Sequence, residues 1–379
     1  MIYLDHAATT GQKPEAVLQA ITESMNASVN AGRGSYAAAR KAMQVIDDCR
    51  QNLLDLAQIT SGYHVFFAAS ATLVMNQIIL GLPLDQYSAL YVSPFEHNAV
   101  MRPLYAVSQR HGCQLHALPF IPENWTFDAE EAESMFITRK PDYVFVSLVS
   151  NTTGYILPVK QIVALAHQYG ARVIVDCAQA LGAVDENYAS MDADAYVFAG
   201  HKTLYGPYGI AGMILKDGWK ITPGLFGGTG SDSLNLHMPA ASAGGYEPGS
   251  ANLPAICGLN AAISWLKKIG VRQIEAHERN LVQVFIDQAM NLLQIKLYAP
   301  PVDRRSGIIA FNVEGYQSNE VGTILDDDYA IAVRTGYQCA PWIHDWLHTK
   351  QHMGIVRMSV SYFTTLTEIE TMIAALKTL

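Results

Sequence analysis

Seven short apolar runs, rich in β-branched and aromatic residues, recur between positions 64 and 215 of the chain and are separated by stretches of helical periodicity. The runs are HVFFA, ALYVS, QLHALPF, DYVFVSLVS, RVIVDCA, AYVFAG and IAGMIL. Strands that alternate with helices predict a mostly parallel sheet whose crossover helices cover both faces. Two of the intervening stretches, VMRPLYAVSQRHG and VKQIVALAHQYG, end in glycine, as helices often do. The pattern therefore predicts an α/β fold.

This pattern breaks at a stretch rich in glycine, serine and proline between about residues 217 and 251. A connection of this length inside a compact domain is usually functional. Two long helices are predicted next, near 252–269 and 271–293, followed by strands near GIIAFNV, IAVRT and VRMSVS. The second part of the chain therefore resembles an α+β unit.

The chain has 379 residues, which exceeds the size at which a single hydrophobic core usually stops growing. We therefore predict a large domain followed by a smaller C-terminal α+β domain. The large domain is assigned to 13–251, and the smaller one to 1–12 together with 252–379.

The composition limits the kinds of molecule that the protein is expected to bind. The formal net charge is -9 and no basic stripe is evident, so nucleic acid and anionic membrane surfaces are unfavourable partners. No apolar stretch reaches the roughly 20 residues of a membrane span, and the N-terminal MIYLDHAATT lacks the features of a secretory signal. We expect a cytoplasmic protein that acts on a small molecule.

The five cysteines stand far apart in the sequence and form no C-x-x-C pair. They are Cys49, Cys113, Cys177, Cys257 and Cys339. This spacing argues against a zinc ribbon or a disulfide framework, and no metal site is expected. Most of these thiols are expected to be small buried hydrophobic groups, so Cys339 needs evidence from elsewhere in the chain to be assigned any chemistry.

Charged side chains follow two of the predicted strands. RVIVDCAQ ends in Asp176 and Gln179, and AYVFAG is followed by His201 and Lys202. Because ligands of open parallel sheets bind beyond the carboxyl ends of the strands, Asp176 and Lys202 can face one pocket. A lysine that forms a Schiff base and a carboxylate that keeps a pyridine nitrogen protonated suit pyridoxal 5′-phosphate. The alternative is an aspartate that caps a turn and a lysine that faces water.

Other polar groups stand at similar places. Ser70, Ala71 and Thr72 directly precede a helical pattern, where backbone N–H groups can bind a phosphate, although an ordinary N-cap is the more common explanation. His97 follows ALYVS and can stack on a flat ring, or be a hydrogen-bonded structural histidine. Asn151 follows DYVFVSLVS in the same way.

Arg357 lies in a β-like run of the second part of the chain. A guanidinium there can hold a substrate carboxylate through two parallel hydrogen bonds. The alternative is a surface salt bridge.

Eight motifs, in order from residue 3 to residue 365, resemble those of the cysteine desulfurases and selenocysteine lyases of the class V aminotransferase group. They are YLDHAATT, EHNA, SNTTGYILPV, DCAQ, GHKTLYGPYG, YEPGSAN, RTGYQCA and RMSVSYFTT. This resemblance implies a fold-type-I, pyridoxal phosphate-dependent enzyme. The last motifs are similar to those of the branch that includes SufS-like and selenocysteine-lyase-like enzymes.

The resemblance also implies a role for each matching residue. Lys202 would bind the cofactor aldehyde, Asp176 the pyridine nitrogen and Gln179 the phenolic oxygen, and His97 would stack on the ring. The phosphate would be bound by Ala71, Thr72 and His201, and by Ser250 of a neighbouring subunit, which implies a homodimer. Asn151 and Arg357 would bind the substrate amino acid, with Arg357 on its carboxylate.

Cys339 matches the nucleophile of the family, so the resemblance implies a cysteine desulfurase. The thiol would take sulfur from L-cysteine, release L-alanine and pass its persulfide to an acceptor protein or thiol. Five positions depart from the family pattern: Ser70, Ala199, Ser250, and Tyr337 with Gln338, where histidines are common. The alternatives are a selenocysteine lyase acting on L-selenocysteine, a β-lyase or transaminase that does not use Cys339, and a non-catalytic sulfur carrier.

Overall fold

The computed structural model describes residues 1–27, 29–31, 34, 36–229, 234–239 and 243–379, without the side chains of 243 and 244. Residues 230–233 and 240–242 of the predicted glycine-rich stretch lie outside the described residues.

The strands are β1 (Ile2–Tyr3), β2 (Tyr63–Ala68), β3 (Ala89–Val92), β4 (Gln114–Ala117), β5 (Phe120–Ile121), β6 (Thr126–Phe127), β7 (Tyr143–Ser147), β8 (Arg172–Asp176), β9 (Ala195–Ala199), β10 (Ala211–Lys216), β11 (Ile295–Tyr298), β12 (Ile308–Val313), β13 (Ile331–Ala332), β14 (Arg334–Gly336) and β15 (Ile355–Ser359).

The α-helices are α1 (Glu15–Ala27), α2 (Ala37–Leu56), α3 (Ala71–Leu80), α4 (Asn98–His111), α5 (Ala129–Thr138), α6 (Val159–Gln168), α7 (Tyr188–Met191), α8 (Ala243–Tyr246), α9 (Leu253–Ile269), α10 (Val271–Ala289), α11 (Ser318–Tyr329), α12 (Ile343–Trp346) and α13 (Leu366–Leu376).

A seven-stranded sheet, in the order β2-β10-β9-β8-β7-β3-β4, forms the centre of the protein. All neighbours in it are parallel except β10, which runs antiparallel to both β2 and β9. The prediction of a mostly parallel mixed sheet is therefore confirmed. Each of the seven apolar runs of the sequence contributes one strand of this sheet.

The strands of this sheet are apolar at nearly every position because both faces are covered. Along β8, Val173 and Val175 join one apolar cluster, whereas Ile174 between them joins a second cluster on the opposite face. Helices that cross over between parallel strands supply both layers. One of these helices, α4, ends at Gly112, which adopts the left-handed conformation (φ 73°) and donates its N–H to Ser108 O, as the sequence predicts.

A second, antiparallel sheet in the order β11-β12-β15-β14 forms the C-terminal region. It packs on α10 and α13 through an apolar cluster that includes Phe311, Met358 and Phe285. The N-terminal strand β1 joins this region by pairing with β13 in parallel. The run IAVRT, predicted as one strand, forms two, because β13 pairs with β1 while β14 pairs with β15.

Helix α10 ends at Ala289, one turn before the predicted end near 293. The chain turns there because it has to reverse into β11, which pairs with β12. Helix α9 packs against α1 and α2, and its buried residues belong to the same apolar cluster as one face of the large sheet. The proposed domain boundary at 251/252 coincides with the start of α9 and stays a prediction.

Within the described part of the chain, every helix is too short or too polar to cross a lipid bilayer.

The buried carboxyl group of Glu278 links helix α10 to the segment that follows Lys202. Glu278 of α10 accepts a hydrogen bond from Tyr205 Oη at 3.2 Å, and Tyr205 Oη also accepts from Tyr362 N at 2.8 Å. Tyr205 N in turn donates to Lys202 O at 3.0 Å. Burial raises the pKa of Glu278 to about 8, because no water solvates the charged form.

This buried group predicts that a Glu278→Gln variant gains stability relative to the wild type as pH rises. The unfolded chain ionises Glu278 near its ordinary pKa of 4.5, whereas the folded protein keeps the proton up to a pKa of about 8. Between these values the folded state binds more protons, so its stability falls as pH increases. Glutamine cannot ionise, so the variant escapes this loss, on the order of a few kcal/mol.

Thermal unfolding followed by circular dichroism at pH 5 and pH 8.5 checks the prediction. The difference in Tm between variant and wild type should be larger and more favourable to the variant at pH 8.5. A Glu320→Gln variant, at an exposed helix-capping carboxylate, serves as a control for the loss of a charge. An unchanged difference between the two pH values would contradict the assignment.

Candidate active site

A cavity of about 220 Å³ lies at the carboxyl ends of β7, β8 and β9, beside the start of α3 and α4. Nine of the eleven residues predicted for the site line it: Ala71, Thr72, His97, Asn151, Asp176, Gln179, His201, Lys202 and Arg357. The parallel strands bring together those residues that belong to the large sheet, because the carboxyl ends of the strands share one edge, whereas Arg357 reaches the cavity from β15 of the C-terminal sheet. Cys339 and Ser250 are not among the lining residues.

Asp176 is the last residue of β8 and is buried. Its Oδ1 accepts a hydrogen bond from Ala178 N at 2.9 Å, which fixes the carboxyl group at the strand end. Burial raises the pKa of Asp176, while the nearby Lys202 acts in the opposite direction. A carboxylate in such a place is stabilised by a cationic partner inside the cavity, such as a protonated ring nitrogen.

Lys202 follows β9 and lies in the same cavity. Burial lowers the pKa of its amine to about 8, with Arg357 and Arg334 acting in the same direction and Asp176 and Cys339 against it. Near neutral pH a substantial fraction of the amine is therefore unprotonated. An unprotonated amine can act as a nucleophile or as a base, which an ordinary surface lysine rarely does.

His97 caps the N-terminus of α4, where its Nδ1 accepts from Ala99 N at 2.9 Å. The pKa of His97 is lowered to about 3. Burial is the largest cause, and the neighbouring cations Lys202, Arg334 and Arg357 contribute to the same shift. The ring is therefore neutral at physiological pH and carries its proton on Nε2. A neutral aromatic ring on the cavity wall suits stacking on a flat ligand.

One end of the cavity has the features of a phosphate site. Ser70 Oγ accepts a hydrogen bond from Leu73 N at 3.2 Å and caps α3, so the interpretation of this residue as an N-cap is confirmed. The cap leaves the first turn of α3, with Ala71 and Thr72, on the cavity wall. Backbone N–H groups at a helix N-terminus bind anions. The two sequence interpretations are therefore compatible here.

His201 lies beside Lys202 and stacks on Tyr208, with ring centroids 4.6 Å apart. Its Nδ1 is buried and has no hydrogen-bond partner among the described residues. Burial lowers the pKa of His201 to about 4, with Lys202 and Lys13 acting in the same direction. Ala199 also lines the cavity, so the hydroxyl that the family often has at this position is missing.

Arg357 of β15 is fully buried and ordered by two contacts. Its Nη2 pairs with Asp5 Oδ1 at 2.6 Å, and its Nη1 donates to Asn151 O at 2.8 Å. The surface salt bridge considered from the sequence is therefore wrong, because the Arg357 side chain is buried and only Asp5 is partly exposed. Arg357 Nε and Asn151 Oδ1 are both buried without a partner among the described residues.

Cys339 is partly buried and adjoins the cavity through Arg334, whose Nη2 donates to Cys339 Sγ at 3.1 Å. Arg334 itself lines the cavity. Ser250 is exposed and lines a different, larger cleft of about 580 Å³ together with Phe67 and Glu247. The structure thus brings Cys339, but not Ser250, next to the Lys202 cavity of its own chain.

Sequence reasoning missed Arg334 and Asp5. Both belong to motifs that drew attention for other residues, RTGYQCA for Cys339 and YLDHAATT for the N-terminus. Their positions in these motifs were the available signal. Their roles depend on contacts with Cys339 and Arg357 that no local pattern reveals.

This set of donors fits pyridoxal 5′-phosphate. A buried carboxylate and a partly neutral lysine suit its ring nitrogen and its aldehyde. The helix N-terminus and the unpartnered His201 Nδ1 suit its phosphate. Gln179 Nε2 donates to Ala7 O at 2.7 Å, and Gln179 lines the same cavity.

The comparisons with known proteins agree with this geometry. The family model described as Aminotransferase class-V matches residues 2–372. A probable cysteine desulfurase of Halalkalibacterium halodurans is 31% identical over 359 residues, covering 92% of this chain and 86% of that protein. A cysteine desulfurase of Salmonella agona is 30% identical over 385 residues, covering 99% of this chain and 92% of that protein.

Solved structures show the same architecture. The apo structure of the cysteine desulfurase from Thermococcus onnurineus superposes with a TM-score of 0.90 at 26% identity, covering 100% of this chain and 94% of that one. The cysteine desulfurase CsdA (S-sulfonic acid) from Escherichia coli gives a TM-score of 0.87 at 25% identity, covering 99% and 94%.

The lowered pKa of Lys202 predicts that this residue forms the covalent bond with the cofactor aldehyde. Purified protein incubated with pyridoxal 5′-phosphate and reduced with borohydride should carry the cofactor mass on the peptide that contains Lys202. The rate of capture should rise with pH and reach half its maximum near pH 8, because only the unprotonated amine attacks. Peptide mass mapping across a pH series measures both.

Lys202→Ala should lose this label. Lys13→Arg is the matched control, because burial also lowers the pKa of the nearby Lys13 to about 8, and arginine keeps a donor for His201 O. Full labelling of Lys202→Ala, or loss of label in Lys13→Arg alone, would contradict the assignment.

Proposed function

Because the chain belongs to the class-V aminotransferase family, whose members use pyridoxal 5′-phosphate, we propose that it is a cysteine desulfurase. It would convert L-cysteine to L-alanine and leave the sulfur as a persulfide on Cys339. The observation that carries the proposal is the contact of Cys339 Sγ with Arg334, a guanidinium that lines the same cavity as Lys202. The printed names of the relatives, cysteine desulfurases, support it.

The residues of the cavity divide into groups that would hold different parts of the cofactor. Lys202, Asp176, Gln179 and His97 would bind and orient its ring, and Ala71, Thr72 and His201 its phosphate. When bound, the cofactor withdraws electrons from the substrate Cα and so makes its C–H bond acidic. The rest of the chemistry falls to side chains of the chain itself.

Arg357 would bind the carboxylate of the substrate. Its guanidinium is held in place by Asp5 and by Asn151 O, and its Nε has no partner among the described residues. A guanidinium whose orientation is fixed in advance loses little entropy when a carboxylate binds. Asn151 Oδ1, which is buried and also lacks a partner in the described part of the chain, would accept a hydrogen bond from the substrate.

Lys202 would move the proton of the substrate Cα. With a pKa of about 8, its amine is able both to take a proton and to return one near neutral pH. The Cys339 thiolate would then form a bond with the substrate sulfur as the carbon–sulfur bond breaks. The electron pair of that bond stays on Cβ, where a proton completes the methyl group of alanine, so no external oxidant or reductant is needed.

Arg334 would position Cys339 for this step. Its guanidinium donates a hydrogen bond to Cys339 Sγ at 3.1 Å, and this contact would hold the sulfur beside the Lys202 cavity. The persulfide would pass to an acceptor protein or thiol. The RTGYQCA motif supports the proposal that the enzyme belongs to the SufS-like branch. The five cysteines are all free thiols, which supports a location in the reducing cytoplasm.

A homodimer is part of the proposal. Ser250 is exposed, lies outside the cavity of its own chain and lines the larger cleft, which has apolar walls that include Leu73, Met43 and Leu225. A second copy of the chain that covered this cleft would bring Ser250 towards the neighbouring phosphate site. This arrangement supports the role that the resemblance gives to Ser250.

Cys339→Ser tests the central step. We expect alanine formation from L-cysteine to fall by at least about 100-fold, because a serine hydroxyl is not ionised at neutral pH and is a poor nucleophile toward sulfur. Mass spectrometry of the wild type after reaction should show one added sulfur on the Cys339 peptide. Cys257→Ser, which changes another partly exposed thiol, is the control and should keep full turnover.

Full desulfurase turnover by Cys339→Ser would overturn the proposal and favour a β-lyase or transaminase that does not use this thiol. Measuring alanine release from L-selenocysteine beside L-cysteine separates the lyase alternative from the desulfurase. The proposal requires that L-cysteine be the better substrate by kcat/KM.

Arg357→Gln tests the carboxylate site. We expect KM for L-cysteine to rise roughly 10- to 100-fold, because a charge-assisted hydrogen bond to the substrate is lost. The substitution also leaves Asp5 without its partner, so the double variant Arg357→Gln with Asp5→Asn separates binding from folding. The double variant should recover thermal stability but keep the high KM.

Steady-state kinetics and thermal unfolding of both variants provide the readout. Arg304→Gln, at an ion pair on the surface, is the control and should not change KM. An unchanged KM in Arg357→Gln would remove Arg357 from the substrate site.

A further inference from the structure

The thiol of Cys339 is presented by a tight turn without glycine. The turn spans Tyr337 to Ala340, whose N–H donates to Tyr337 O at 3.0 Å. Its two central residues, Gln338 and Cys339, both have positive φ, 49° and 56°. Turns with two left-handed central residues normally use asparagine or glycine, because other side chains are strained there. Contacts outside the turn must therefore stabilise it.

Each of the first three carbonyl groups of the turn accepts a hydrogen bond from a different element. His344 Nε2 in α12 lies 2.9 Å from Tyr337 O, and Asn151 Nδ2 donates to Gln338 O at 2.7 Å. Asn98 N, in the first turn of α4, donates to Cys339 O at 2.6 Å. These bonds fix the backbone of the turn but do not select its side chains.

The side chain of Gln338 supplies the remaining contacts. It is only 2% exposed, and its Nε2 donates to Arg334 O at 3.2 Å and to Gly336 O at 3.4 Å. Both acceptors belong to β14, the strand that carries Arg334. Gln338 therefore ties the turn back to the strand whose guanidinium contacts Cys339 Sγ.

We propose that Gln338 is a positioning residue for Cys339, whose carboxamide braces the strained turn against β14 and so holds the thiol at the Arg334 guanidinium. The inference rests on the proposed role of Cys339 as the sulfur acceptor. Glutamine does not titrate, so it takes no proton from the thiol. Its effect on reactivity passes through the distance between Cys339 Sγ and Arg334.

The variants Gln338→Met and Gln338→Gly test this brace, the pair of hydrogen bonds from the Gln338 carboxamide to β14. Methionine keeps the bulk of the side chain without the N–H donors, and glycine relieves the backbone strain without replacing the brace. In Gln338→Met, we expect the rate constant for alkylation of Cys339 by iodoacetamide at neutral pH to fall about tenfold, because the sulfur moves away from the Arg334 guanidinium. The fall in Gln338→Gly should be no larger, because glycine removes the strain that the brace opposes. The kcat for L-cysteine should fall while its KM stays the same.

Alkylation is measured by mass spectrometry of the Cys339 peptide in the full-length protein without substrate. It therefore reports on the brace even if the desulfurase proposal fails. Tyr337→Phe is the matched control, because it changes the neighbouring exposed side chain but keeps the turn and its contact with His344. The Cys257 peptide in the same digest provides an internal reference whose alkylation rate should not change.

Either of two results overturns the proposal: an unchanged alkylation rate in Gln338→Met, or a larger fall in Gln338→Gly than in Gln338→Met. The second result would mean that loss of side-chain bulk, and not loss of the N–H donors, moves the thiol. If either variant is unfolded by circular dichroism, Gln338→Asn replaces it, because asparagine tolerates positive φ but is too short to reach β14. A fall in the alkylation rate is then expected, and its absence counts against the brace.

Discussion

The parallel register of β7, β8 and β9 determines the position of almost every other feature of the site. Ser147 pairs with Asp176, and Asp176 pairs with Val197, so the three strands finish along one edge of the sheet. Side chains that follow these strand ends must share one volume. The cavity with Asp176 and Lys202 is therefore a direct consequence of strand alignment, and the helices α3 and α4 begin at the same edge.

Burial at this edge of the sheet shifts the pKa of the acid and the pKa of the bases in opposite directions. It raises the pKa of Asp176 and lowers the pKa of Lys202, His97 and His201. Each shift follows from removing water from a charged form. The result is a lysine able to exchange protons near neutral pH beside two uncharged imidazoles, which suits a site that binds a cofactor and moves a proton.

The C-terminal sheet contributes the groups that, in the proposed function, would bind the substrate and its sulfur. Arg334 and Arg357 are direct partners across β14 and β15, where two like charges repel each other. Asp5 offsets one of them, and the sulfur of Cys339 contacts the other. The two guanidinium groups therefore stand on neighbouring strands, and both reach the cavity of the large sheet.

The sequence by itself determined the strand rhythm, the mixed sheet and the polar residues at the strand ends, because strand periodicity and strand-end positions are local properties of a chain. It could not determine that Asp5 pairs with Arg357, 352 residues away, or that Gln338 braces the turn of Cys339. The first contact depends on the pairing of β1 with β13 and of β14 with β15, which brings residues remote in sequence together. The second joins residues close in sequence, but it forms only in a turn whose carbonyl groups are bound by Asn98 and Asn151 from the large sheet's region. Only the tertiary structure decided both, because each depends on elements that meet after the sheets have formed.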